Sequence, residues 1–234
     1  VCMSTFLLQS SKGMLLSICV VMSFVMAFLS YQDKYSMGRI FYSFMSIGIG
    51  SMIDVSVLFF VPVMWLAMFF HLQSMTLRTF ISSLFGLICP YWFVAVYLIY
   101  TNDITLAVEH FSQLAVFGKV ANFSQVPVSA LVSICYITIL SVVGIIHYLR
   151  NRVFDKTRTR MFYNTFILFD IFTIAFIILQ PQHYATMLII LIVTTSPLIA
   201  HFIALTHTWI TNLAFKVIVA TALSLTIINI LQLI

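Results

Sequence analysis

The stretch 40–70, IFYSFMSIGIGSMIDVSVLFFVPVMWLAMFF, decides how the chain is read. It holds one charged residue, Asp54, in 31 positions. A spanning helix needs about 20 mostly apolar residues, because it rises ~1.5 Å per residue through a core ~30 Å thick. Thirty-one residues are too many for one ordinary crossing and too few for two. The run GIGSMID, Gly48 to Asp54, puts flexible residues and the acid in its middle. The reading is two short helices, 40–53 and 55–70, meeting near Asp54 inside the membrane as a broken or re-entrant hairpin. Irregular backbone at that depth persists only where protein buries it or it lines a wet cavity.

The rest of the sequence supports the same solvent. Only 7% of the 234 residues are Asp, Glu, Lys or Arg, and 62% are hydrophobic. A water-soluble domain carries about 25% charged residues, so a wet surface is excluded. Segments 13–30, 80–100, 126–148, 161–179, 184–205 and 213–233 each read as one crossing. They are apolar all round, whereas barrel strands alternate. The expected architecture is an all-α polytopic bundle of about six full crossings plus the hairpin. A further helix, 103–117, has Ile104, Ala107, Val108, Phe111, Leu114 and Ala115 at helical spacing and polar residues opposite. That pattern predicts an amphipathic helix at the outer interface.

Lys and Arg set the orientation. The loop 147–160 holds Arg150, Arg152, Lys156, Arg158 and Arg160 against one acid, Asp155, and is placed in the cytoplasm. Alternation puts Arg78 and Lys216 on that side and Lys119 opposite. Lys34 and Arg39 join the cytoplasmic set only if 40–70 returns to its starting face, which also puts the N-terminus outside. The net charge of +5 therefore points to anionic headgroups, not nucleic acid. The chain opens at Val1 without a start methionine, as a processed or partial sequence does.

Asp54 and Asp170 are the sharpest candidates for chemistry. A carboxylate at mid-membrane costs at least ~2.5–3.5 kcal/mol on insertion scales. Its use is a proton or cation relay, a headgroup contact, or a hydrogen-bonded link between helices. His201 follows Pro197 by one turn in TTSPLIAH, where the proline predicts a kink and Thr194, Thr195 and Ser196 can re-satisfy the backbone. Asp170 and His201 differ in depth by roughly 7 Å at ~1.5 Å per residue, so a contact between them would be stretched. The six histidines are scattered, without the close spacing of a metal site. Neither GxSxG, HExxH, a Walker loop nor GxGxxG occurs, and no cofactor is expected. Cys2, Cys19, Cys89 and Cys135 show no paired spacing and read as small packers. Tyr31, Tyr35, Tyr91, Tyr100, Tyr148 and Trp209 fall near helix ends as an aromatic belt. Ser82/Gly86 and Ala200/Ala204 permit close helix approach.

The stretch RIFYSFMSIGIGSMIDVSVLFFVPVMWLAMFF, with LRTFISSLFGLICPYWFVAVYLIY after it, resembles an uncharacterised family of Bacteroidota inner-membrane proteins. Arg39, Phe41, Gly48, Phe59, Phe60, Pro62, Arg78, Gly86, Leu87, Pro90 and Tyr91 match its pattern, and TSPLIAHFIALTHTWITNLAF is similar to its last helices. The resemblance covers most of the chain from about Gly13. It implies no activity. Members often bear a carotene-monooxygenase label, but the HGxxD-type and paired-histidine signatures of such an oxygenase are absent here. The Gly-containing short helix before an aromatic-Pro helix is also similar to polytopic glycosyltransferases using polyprenyl-phosphate sugars. Those carry a catalytic acid in an early outer loop, and this sequence shows no such loop.

Two functions follow as expectations. One is a non-catalytic subunit or anchor of a cell-envelope membrane complex, partnered by lipids and other membrane subunits. The other is an enzyme or transporter acting on a polyprenyl-linked sugar or lipid, with Asp54 as its acid and Arg39 or Arg78 at the phosphate.

Overall fold

A computed structural model describes residues 11–116, 118, 120–123, 126–205 and 209–231. Among them every regular element is a helix, and five helices are long and apolar enough to cross a membrane. The polytopic all-α reading stands. By packing the chain divides into two units, one formed by Leu15–Lys119 and one that contains Val120–Ile234.

The first unit holds α1 (Ser11–Leu29, its first residues reaching beyond the unit), α2 (Met37–Ile53), α3 (Val61–Phe70), α4 (Leu77–Thr101) and α5 (Ile104–Ser112). Asp54 ends α2 in an extended conformation, φ −145° and ψ 114°, and the next six residues, Val55–Phe60, form a 3-10 helix leading into α3. The 3-10 turns matter for length. The 17 residues of α2 rise about 26 Å. The six 3-10 residues at ~2.0 Å and the ten of α3 at ~1.5 Å return about 27 Å. The chain therefore comes back to its starting level. There Gln32 N–H donates to Leu72 C=O at 2.8 Å, and the buried Ser30 hydroxyl donates to Ser74 Oγ at 3.3 Å. The hairpin is closed at its base.

α1 and α2 run antiparallel. Arg39 Nη1 donates to Leu29 C=O at 2.6 Å, and Ser43 Oγ donates to Ser23 C=O at 2.8 Å. α2 and α4 run parallel, from the Ser82 hydroxyl on Met37 C=O at 2.7 Å to Tyr91 beside Ser51. Glycine sets their spacing. A Cβ on Gly86 would strike the Phe41 carbonyl, and one on Gly48 would lie 2.8 Å from Leu87 O. The Ser82/Gly86 pair thus marks a true close approach. α4 starts at Leu77, three residues before the expected 80, because Thr76 and Thr79 form a reciprocal capping box.

The second unit holds α6 (Val128–Asn151), α7 (Thr157–Leu179), α8 (Tyr184–Leu205) and α9 (Trp209–Leu231). α8 packs on both α6 and α7, which meet each other sparingly. Its run Met187–Leu191 is buried throughout, as a central helix must be. Gly144 of α6 meets α8 at Leu198, where a Cβ would lie 3.0 Å from the leucine Cβ. Ala200 and Ala204 are exposed instead, so that small-residue pair does not make this contact. α9 is tied to α6 by Tyr136, whose hydroxyl donates to Ile218 C=O at 2.9 Å.

Several boundaries differ from expectation. α5 stops at Ser112 rather than 117, α7 begins at Thr157 rather than 161, and α9 at Trp209 rather than 213. The apolar part of α9, Asn212–Ile227, is shorter than the crossing expected over 213–233, whose last two residues lie outside the described ones.

Candidate functional site

Three polar assemblies carry the residues that the sequence singles out. The first is the hairpin tip. Asp54 Oδ1 accepts the Ser56 N–H at 2.9 Å, so the acid caps the 3-10 helix that it initiates. One turn back, Ser51 C=O belongs to the last turn of α2, where carbonyls lack intrahelical partners. His110 Nε2 lies 2.9 Å from it. A carbonyl only accepts, so Nε2 carries the proton and His110 caps α2 from α5. The Ser51 hydroxyl donates to Gly48 C=O at 2.7 Å, which leaves the Tyr91 hydroxyl to donate to Ser51 Oγ at 2.6 Å.

This arrangement ties α5 to the tip. α5 folds back along the end of α4, with Phe111 5.3 Å from the Tyr91 ring, and so covers the hairpin tip. Between them lies an apolar cavity of about 240 Å³ lined by Met52, Tyr91, Leu98, Leu106 and His110 among others. Tyr91 therefore serves the tip, through Ser51 and Phe111. Asp54 also lies about 22 Å along α2 from Arg39, at ~1.5 Å per residue. The two residues therefore lie toward opposite ends of α2.

Arg39 spends its guanidinium on Leu29 C=O and on Asp33, 3.4 Å away. Arg78 is exposed in the first turn of α4, at the same end of the unit as Arg39. The structure does not bring either arginine to Asp54.

The second assembly surrounds Asp170, which is fully buried in α7. Ser141 of α6 donates to Oδ2 at 2.5 Å, Thr195 of α8 donates to Oδ2 at 3.1 Å, and Thr194 donates to Oδ1. Three hydroxyls from two neighbouring helices thus converge on one carboxyl group. Thr194 and Thr195 are two of the residues expected to mend the backbone at Pro197; both bond to Asp170, and Thr194 also reaches the Ile190 C=O at 2.9 Å. α8 is helical on both sides of Pro197.

The third assembly was not anticipated. His201 Nε2 lies 3.1 Å from Asp155 Oδ2, so the histidine of α8 is paired with the α6–α7 loop and not with Asp170. Tyr163 stands 4.8 Å from the His201 ring, His147 5.6 Å and Tyr148 5.7 Å. Tyr148 is fully buried, not part of a belt, and its hydroxyl lies 3.1 Å from both Arg160 C=O and Asn164 Oδ1. Asn151 Nδ2 lies 2.7 Å from His147 Nε2. The signal for this cluster was present in the sequence. His147 and Asn151 stand four residues apart and Tyr148 and Asn151 three, on one face at the end of α6, with Asp155 in the loop just beyond.

Among the described residues, no three of His, Cys, Asp or Glu converge as a metal ion requires. No protein-family model, curated protein or solved structure matches this chain.

Proposed function

We propose that the chain is a non-catalytic subunit or anchor of a cell-envelope membrane complex. It sits in the bacterial inner membrane with loop 147–160 in the cytoplasm, and belongs to the Bacteroidota family that it resembles. The observation that carries the reading is how its polar residues are employed. Asp170 accepts three hydroxyls, Asp54 caps a helix, and Arg39 caps another. These are bonds that build a bundle.

The outer half of α4 supports a partnering role. Trp92, Phe93, Tyr97 and Tyr100 are exposed there, in a helix longer than its parallel neighbour α2. Aromatic residues are enriched at the cores of protein interfaces. The closed hairpin supports the orientation, because it leaves Lys34, Arg39 and Arg78 at one end of their unit.

The test is extraction of the full chain with its surrounding bilayer in polymer nanodiscs, followed by native mass spectrometry. The expected result is a second membrane polypeptide in fixed ratio, released by Phe93→Ala with Tyr97→Ala. The chain alone, carrying a polyprenyl phosphate, would replace the subunit reading with a lipid-linked enzyme or transporter.

A further inference from the structure

Buried polar nitrogens without partners are rare in folded proteins. Among the described residues there are three: His147 Nδ1, Arg160 Nε and His201 Nδ1. All three belong to the assembly at the basic end of the second unit. His147 and His201 face each other at 5.6 Å, and Tyr148, beside both, bonds to the Arg160 carbonyl. We infer that this end of the bundle is a phosphate-binding site, placed to take the headgroup of an anionic lipid. The inference is independent of the subunit reading.

Hydrogen-bond direction gives the site its chemistry. With Asn151 donating to His147 Nε2, the His147 Nδ1 carries a proton and needs an acceptor. Arg160 Nε–H is a donor in every state, and Nη2 of the same guanidinium already donates to Thr157 Oγ1 at 3.2 Å. The third nitrogen, His201 Nδ1, is not one of the donors, because Nε2 of that ring is the one that donates to Asp155. The two donors, His147 Nδ1–H and Arg160 Nε–H, suit a group rich in anionic oxygens.

The surroundings agree in sign. α7 begins three residues before Arg160 with Lys156 at its N-cap, a cationic side chain that makes no capping bond there, and a helix N-terminus favours anions. Arg152, Lys156 and Arg158 are exposed around it. The loop's one acid, Asp155, is engaged by His201. Helix ends of a membrane bundle lie at headgroup depth, which favours a lipid as the source of the phosphate.

The test uses the full chain in detergent micelles, with native mass spectrometry as the readout. The probes are dioleoyl phosphatidylglycerol, dioleoyl phosphatidylcholine and inorganic phosphate. Phosphatidylglycerol is expected to be held about tenfold more tightly than phosphatidylcholine. Arg160→Gln and His147→Gln should each remove that preference, and Arg150→Gln, an exposed charge at the same end, should leave it nearly intact. Competition by inorganic phosphate supports the chemistry. Binding of inorganic phosphate with no preference between the lipids would assign the site to a soluble phosphate and overturn the lipid placement. Equal loss from Arg150→Gln and Arg160→Gln would reduce the effect to diffuse charge and overturn the site. If Arg160→Gln fails to fold, imidazole ¹⁵N shifts of His147 and His201 in the unaltered protein decide. Their insensitivity to phosphatidylglycerol would sink the proposal.

Discussion

The two units hold their helices together by different means, and their acids show how. In the hairpin unit, Asp54 serves the backbone. It breaks α2, caps the following 3-10 helix, and stands beside helices brought close by Gly48 and Gly86. In the second unit, Asp170 serves side chains, joining three helices through Ser141, Thr194 and Thr195. The two carboxyl groups are buried to different degrees, Asp54 partly and Asp170 fully. The first accepts the Ser56 N–H at a helix end, and the second accepts three hydroxyls in a buried layer. An intramembrane acid is therefore insufficient evidence for catalysis until its bonds have been traced.

The comparison breaks most sharply at Asp170. Asp170→Leu leaves three buried hydroxyls without their common acceptor, and each unmet group costs about 1–3 kcal/mol. Some hydroxyls can turn to the backbone, as Thr194 already does toward Ile190 C=O at 2.9 Å. The expected loss is about 3 kcal/mol, read as a lowered unfolding midpoint in mixed micelles. Asp170→Asn keeps one acceptor oxygen and should lose about half of that. An Asp170→Leu protein as stable as the parent would show that the hydroxyl layer does not hold the unit together.

Gly86→Ala probes the other mode. Its Cβ would meet the Phe41 backbone, which cannot swing aside as a side chain does, so α2 and α4 must separate. Overpacking of this kind costs about 1–3 kcal/mol. Gly50→Ala is the control, because its nearest atom is the Cys19 Cβ at 3.4 Å, an ordinary contact. Equal effects of the two substitutions would remove glycine spacing as the reason for the close pair.

Asp54 should prove the milder of the two acids. Asp54→Asn keeps an oxygen to accept the Ser56 N–H, and protein level and unfolding midpoint should be nearly unchanged. Asp54→Leu deletes the cap and should cost about 1 kcal/mol. Loss of a cellular phenotype in Asp54→Asn at normal abundance would mean that the charge or proton is used, and the anchor reading would fall.

Hydropathy made the bundle legible because an apolar run of 17 or more residues has few other fates. The break at Asp54 was equally legible, since GIGSMID combines glycine freedom with an acid in an otherwise apolar run. What the sequence concealed were partners across helices. Nothing local tells Asp170 to choose Ser141, 29 residues away, or His201 to choose Asp155, 46 residues away. Depth arithmetic placed Asp170 and His201 out of easy reach of each other, and the structure gives each a different partner. Tyr91 and Tyr148 are covered by neighbouring helices, which nearness to a helix end does not reveal.

The smallest effect expected concerns pH at the base of the hairpin. His71 follows α3 and lies next to Leu72, whose carbonyl accepts from Gln32. Partial burial holds the His71 imidazole below its ordinary value of 6.5, since desolvation disfavours the charged form. The unfolded chain therefore binds the proton more readily than the folded one. Stability from this group is complete above about pH 6.5. It declines as the pH falls from there toward the lowered folded value. His71→Gln removes the titration, so the parent's unfolding midpoint should fall more than the variant's between pH 7 and pH 5. Parallel midpoints for the two proteins across that range would show that His71 is as well solvated folded as unfolded, and that the hairpin base is open to water.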